Sequence, residues 1–267
     1  MRAAMIRTRA LVAVAPLVLL PALGPVADAP EPVSISGTTW FDANFDGIRQ
    51  DTEGELWKLP VRVERADSPD VVATGETGVG GRYEFTDLPP GRYKVIIRGA
   101  SERGPTRQDV GDDRTDSDID QLYGQSNALD CTGGPCTVVD GGFAESHLDV
   151  GIEVDPATVK LPPQGRASVK VTVTNTGTRP WWASVYLPPQ GVAVENPGGE
   201  GWVCNTVDPR RPNCSRFGEF LMPDETRHLW FDVVTVGAPS GTVDVSVLPG
   251  NDDNPANNHG LVHVTAR

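Results

Sequence analysis

Asp42, Asn44, Asp46, Ile48 and Glu53 stand at positions 1, 3, 5, 7 and 12 of the stretch DANFDGIRQDTE, with Gly47 at position 6 and Gln50 at position 9. A calcium loop of twelve residues takes side-chain oxygens from positions 1, 3 and 5. It takes a backbone carbonyl from 7, often a water at 9, and a bidentate glutamate at 12, with glycine at 6 for the turn. Every ligand position here offers an oxygen. Arg49 departs from the pattern, since the residue after the carbonyl donor is usually apolar. Asp, Asn and Gly are also ordinary turn residues, so the plainer alternative is a solvated acidic turn. Six positions in register favour calcium. A second acidic run, DVGDDRTDSDID, carries Asp109, Asp112, Asp113, Asp116, Asp118 and Asp120. Acids at every second position of an extended loop either converge on one ion or face water.

The charge balance bears on that choice. The chain has 23 basic and 36 acidic residues, and the excess is uneven. Residues 30–155 hold 11 basic and 25 acidic side chains, whereas residues 156–267 hold 9 and 10. An acidic half repels itself unless cations offset it. It is also the wrong sign for nucleic acid, whose phosphates need a basic face. Divalent cations are the expected partners, and they favour the second run, at Asp112, Asp113, Asp116, Asp118 and Asp120, as a further Ca2+ site.

The elements that must position these loops read as strands. VSISGTTWFD, PVRVERAD and RASVKVTVTN alternate with period two, and GRYEFTDLPPGRYKVIIRG reads as two strands around a turn. RHLWFDVVTVG, GTVDVSVLPG and GLVHVTAR continue the pattern. Short alternating segments separated by Gly, Pro, Asn and Asp predict an all-β fold of two β-sandwich domains in tandem. The expected boundaries are 30–154 and 155–267, with the break at Asp155-Pro156.

Residues 1–29 read as a signal peptide: Arg2, Arg7 and Arg9, then a short apolar run, then the small residues of VADA. Cleavage falls after Ala29 or after Ala22. No later run is long and apolar enough to span a bilayer, so the expected location is secreted, extracellular or associated with the cell envelope. In an exported chain the close pairs Cys131/Cys136 and Cys204/Cys214 read as two local disulfides.

These residues carry a resemblance. ISGTTWFDANFDGIRQDTEGELWKLPVRVERAD, GGRYEFTDLPPGRYKV, GDDRTDSDID and HLDVGI follow one another as in the SdrD B-like domain of serine-aspartate repeat surface proteins, over roughly 34–152. The resemblance implies a Cna B-type β-sandwich stiffened by calcium. Its first ion loop maps onto Asp42, Asn44, Asp46, Ile48 and Glu53, and its later acidic cluster onto DDRTDSDID. Thr77 to Gly81 replaces an acidic turn the family often has, and the Cys131/Cys136 insertion is foreign to the pattern. The second half, through VKVTVTNTGTRP, GWVCNTVDPRRPNCSR and NDDNPANNHGLVHVTA, resembles an Ig-like bacterial repeat known as domain of unknown function 11, which implies a spacing role.

Nothing points to an enzyme. No GxSxG or HExxH occurs, and His147, His228, His259 and His263 stand in no catalytic pattern. Lys58 and Lys94 lie outside the opening strand, where a Cna B-type isopeptide lysine is expected. The expected function is that of a non-enzymatic structural or adhesion-type protein. The alternative is a module that binds an extracellular glycan or protein, for which Trp181 and Trp182 are the candidates. Adjacent strand residues face opposite ways, so only one of the two is expected to point outward.

Overall fold

Residues 31–100, 102–132 and 136–266 are described by a computed structural model; the signal-peptide reading of residues 1–29 lies outside them. Among the described residues nineteen strands, numbered in chain order, form four sheets. The first sheet runs β4 (Arg82–Leu88), β1 (Val33–Phe41), β8 (Gly141–Glu145), β6 (Arg103–Pro105). The second runs β3 (Val71–Glu76), β2 (Pro60–Arg65), β5 (Gly91–Ile97), β7 (Leu129–Cys131). Their inner residues, among them Ile35, Val61, Val63, Tyr93, Val95, Ile97 and Phe143, share one core.

The third sheet runs β14 (Val192–Gly198), β17 (Thr226–Thr235), β11 (Arg166–Asn175), β9 (Val150–Asp155). The fourth runs β10 (Thr158–Leu161), β19 (His259–Ala266), β18 (Ser240–Val247), β12 (Ser184–Tyr186), β16 (Asn213–Ser215), β15 (Val203–Asn205), with β13 (Pro189–Gln190) also on β18. A second core fills the space between them, built from Val169, Val171, Val173, Leu229, Phe231, Val233 and their neighbours. In β11 the alternation seen in the sequence becomes burial: Val169, Val171 and Val173 point inward while Lys170 and Thr172 do not.

The expected boundary at 154/155 needs correction. β9 pairs with β11 from Val150↔Asn175 to Asp155↔Lys170, and Val150 and Ile152 belong to the second core. The chain therefore passes from one core to the other between Glu145 and Val150. Alternation marks a strand but not the sheet that receives it. Both cysteine pairs form disulfides, Cys131–Cys136 and Cys204–Cys214.

One pairing matters for the acidic loops. β1 runs parallel to β8, with Thr39 opposite Gly141 and Phe41 opposite Phe143. Asp140, the residue before β8, therefore lies opposite Thr38, whose N–H it accepts at 2.7 Å, while Asp42, the residue after β1, lies past Phe41 at the other end of the paired stretch. The cores also touch through side chains: Arg107 pairs with Asp224, and Thr178 Oγ1 donates to the Glu145 carbonyl at 2.6 Å.

Candidate metal centre

The first loop starts where β1 ends, with the Asp42 N–H held by the Phe143 carbonyl at 3.0 Å. Asp42 is buried, and its Oδ2 accepts bonds from the Gly47 N–H at 2.7 Å and the Thr106 hydroxyl at 2.5 Å. Asn44 Oδ1 accepts from the Asp46 N–H at 3.3 Å, and Asp46 Oδ1 from the Ile48 N–H at 2.8 Å. Glu53 closes the loop, taking the Ala43 N–H on Oε1 at 2.9 Å and the Gln50 N–H on Oε2 at 3.1 Å. The side-chain oxygens of positions 1, 3, 5 and 12 thus all turn back into one small loop. Burial pushes Asp46 up, but bonds from Ile48, Gln50 and Asn44 and the nearby Arg107 charge outweigh it and hold the carboxyl below its usual range.

Gly47 is demanded twice. Its φ is +81°, and a β-carbon there would lie 2.6 Å from the Arg107 carbonyl oxygen. Gly47→Ala is expected to cost about 2–3 kcal/mol from left-handed strain and backbone crowding. Urea unfolding of parent and variant in EDTA measures this; equal midpoints would refute the packing argument.

The second acidic stretch lies directly against the first. Ile48 and Asp116 form an antiparallel bridge, flanked by Ser117 N–H to Gly47 C=O at 3.0 Å and Arg49 N–H to Thr115 C=O at 2.7 Å. In such a pairing the polar groups of Ile48 itself face away from Asp116. Its N–H meets Asp46, so its carbonyl faces the same way, into the first loop. The unusual Arg49 also finds a place here. Its guanidinium lies 5.9 Å from the Trp40 ring and 3.9 Å from Asp140 Oδ2.

Asp113, Asp116 and Asp118 bring carboxylate oxygens within 4.8 Å of one another. Asp118 Oδ2 accepts the Asp140 N–H at 2.7 Å, and Asp140 Oδ1 accepts the Thr38 N–H at 2.7 Å. Asp116 is buried; its Oδ2 takes the Gly111 N–H at 3.0 Å, while its Oδ1 is shut from solvent with no partner among the described residues. Burial first, then the charges of Asp113, Asp140 and Asp116, push Asp118 up to about 7 against the pull of the Asp140 N–H. Burial also raises Asp140, helped by Asp116 and Asp113 and opposed by the Thr38 N–H and Arg49.

Two of the expected ligands lie elsewhere. Asp112 is exposed and caps a turn: Oδ1 accepts the Arg114 N–H at 3.1 Å, and its carbonyl takes the N–H groups of Thr115 and Asp116. Asp120 takes the N–H groups of Leu122, Tyr123 and Gln125. The run bends between its acids rather than staying extended, so alternate spacing does not converge them all. Asp140 joins the group although the sequence reading passed over it. Its only local signal is an acid just before the β8 strand; its neighbours, Thr38 on β1 and Asp118, come from distant stretches of the sequence.

The donor set fits a hard cation. All the convergent groups are oxygens, and ligands 2.3–2.6 Å from one ion lie up to about 5 Å apart across it. The buried, unpartnered Asp116 Oδ1 is the kind of atom that a cation satisfies.

Comparison with known proteins places the same region. Residues 33–143 match the SdrD B-like domain. Serine-aspartate repeat-containing protein C of Staphylococcus aureus strain MRSA252 is 29% identical over 112 residues, which are 42% of this chain and 12% of that protein. The strain Newman protein of the same name is 31% identical over 85 residues, 32% of this chain and 9% of its own length. The chain therefore matches only a small part of these curated relatives. Among solved structures, BcpA, the major pilin subunit of Bacillus cereus, aligns with 88% of this chain and 69% of its own at 10% identity and a TM-score of 0.32. The RrgB pilus protein of Streptococcus pneumoniae aligns with 82% and 48% at 9% identity and a TM-score of 0.37. Scores this low establish no shared overall fold. Both acidic loops, from Asp42 to Glu53 and from Asp112 to Asp120, lie within the stretch of this chain that matches the SdrD B-like domain.

Proposed function

We propose that the first half is a calcium-stiffened module of an exported, non-enzymatic protein with a structural or adhesive role outside the membrane. The observation that carries this reading is the Asp113, Asp116 and Asp118 group with its orphaned Asp116 oxygen, bonded through the backbone to the twelve-residue loop. Two ions would be held. Asp42, Asn44, Asp46, the Ile48 carbonyl and Glu53 take one; Asp113, Asp116 and Asp118, with Asp140 beside them, take the other. An ion in the first site closes the loop that follows β1, an ion in the second joins the 113–118 segment to the start of β8, and both offset carboxylates that otherwise repel. The match of residues 33–143 to the SdrD B-like domain and the layout of residues 1–29 support export.

Calorimetric titration of the purified protein with calcium tests the proposal. Two bound ions are expected. Asp46→Ala should remove one and Asp116→Asn the other, and each loss should weaken the remaining site because the loops share backbone bonds. No heat, and no calcium retained on equilibrium dialysis, would leave both stretches as plain acidic turns.

A further inference from the structure

Away from the acidic group, a cleft of about 530 Å³ lies along the β2–β5 face and runs into a second of about 250 Å³ between the two cores. The two share Pro105, Gln121, Leu122 and Tyr123. Tyr123 is 66% exposed, on a turn whose backbone is held in place. Asp120 Oδ1 accepts the Leu122 and Tyr123 N–H groups at 2.9 and 2.7 Å, and the Gly124 carbonyl accepts the Ile97 N–H at 2.9 Å. Gly124 has φ +66°, and a β-carbon there would lie 2.9 Å from the Ile97 carbonyl oxygen. A turn held this firmly is built to present its tip. Across the second cleft stands Phe220, with the exposed Trp182 edge-on to it at 5.5 Å, while Trp181 is buried in the second core.

The charge here runs against the rest of the half. Arg62 is paired with Glu64 at 2.8 Å. Arg98 in the first cleft and Arg179 in the second are exposed and, among the described residues, make no ion pair. Gln121 adds a buried Nε2 without a partner among the described residues. We propose that this cleft binds an acidic oligosaccharide, with Tyr123 and Phe220 packing against sugar rings and Arg98 and Arg179 each meeting a carboxylate.

Rings with mixed apolar and polar edges suit amphipathic sugars. Planar guanidinium forks suit carboxylates. The overall negative charge of the protein acts at longer range and is screened beyond about 8 Å at physiological salt. A peptide adding as a strand is a poorer fit. The strand at the rim, β6, is three residues long and ends in Pro105, which donates no N–H. This inference needs no bound ion, so it stands or falls apart from the calcium reading.

The test is calorimetric titration with hexagalacturonate, a hyaluronan hexasaccharide, neutral maltohexaose and hexaglutamate, in calcium and about 150 mM salt. At least one uronate is expected to bind with a sub-millimolar Kd and maltohexaose not to bind. Arg98→Ala, Arg179→Ala and Tyr123→Ala should each weaken it about fivefold or more while thermal unfolding stays as in the parent. Failure of both uronates overturns the proposal. So does uronate binding that the three variants leave unchanged, which is the behaviour of an ion bridge at the acidic loops. Equal binding of hexaglutamate overturns the sugar assignment and makes the cleft a site for acidic peptide.

Discussion

Chelation with EDTA is expected to lower the unfolding midpoint of the protein by roughly 10–20 °C relative to millimolar calcium. The estimate follows from linkage. An ion that binds only the folded chain at a hundred times its Kd stabilises by about 2.7 kcal/mol, and two sites by about twice that. For a domain of this size each kcal/mol is worth about 4 °C or more. A Kd near 10 μM lies within the range of calcium loops of this type. The sharper form of the prediction is a change of sign in Asp116→Asn. Without calcium, the substitution removes one of several crowded carboxylates around Asp118 and Asp140, so the variant should be more stable than the parent in EDTA. With calcium, it removes a ligand and should be less stable. Differential scanning calorimetry of both proteins in both buffers reads this directly. If the curves keep the same order in EDTA and in calcium, the acids are not sharing an ion.

The parts of this centre that the sequence made legible are the local ones. The twelve-residue loop could be read position by position because its oxygen-bearing side chains, its Gly47 turn and its own N–H donors lie within one short stretch. The all-β architecture was legible for a similar reason: alternation in segments such as β11 is a local property that burial then obeys. What the sequence hid is what pairing creates. Asp140 meets Asp118 because the 117–118 segment lies against the start of β8, where the Asp118 N–H also bonds the Asp140 carbonyl at 2.9 Å. Arg49, an oddity within its loop, makes sense only once Asp140 is at hand. Val150 to Asp155 alternates equally well in either sandwich, so its sheet could not be assigned before β11 was seen beside it. Asp120 stands apart from the group of Asp113, Asp116 and Asp118. Its type and spacing fit a ligand, but its oxygens are occupied by the turn that carries Tyr123.

The pH profile tests the same carboxylates without relying on any one calcium affinity. Asp118 sits at about 7 in the folded chain, against about 3.9 for an unperturbed aspartate. Between those values the folded state keeps a proton that the unfolded state has lost, so metal-free stability must fall as pH rises from about 4 to about 7. Asp140, also raised, acts in the same direction. Asp46 is lowered, so its contribution is lost only as pH falls below the unfolded value, outside this window. Because Asp118 is only partly buried, solvent screening reduces its share to about 2 kcal/mol. Asp118→Asn cannot titrate, and the difference between parent and variant in EDTA isolates the group from the remaining acids. That difference should slope downward for the parent between pH 4 and 7. Calcium competes with the proton for the same oxygens, so in its presence the slope should reverse, the parent gaining stability over the variant as pH rises. A flat difference in EDTA would mean that the crowding around Asp118 is relieved in solution. A downward slope in both buffers would mean that the proton, and not an ion, is the occupant of the cluster.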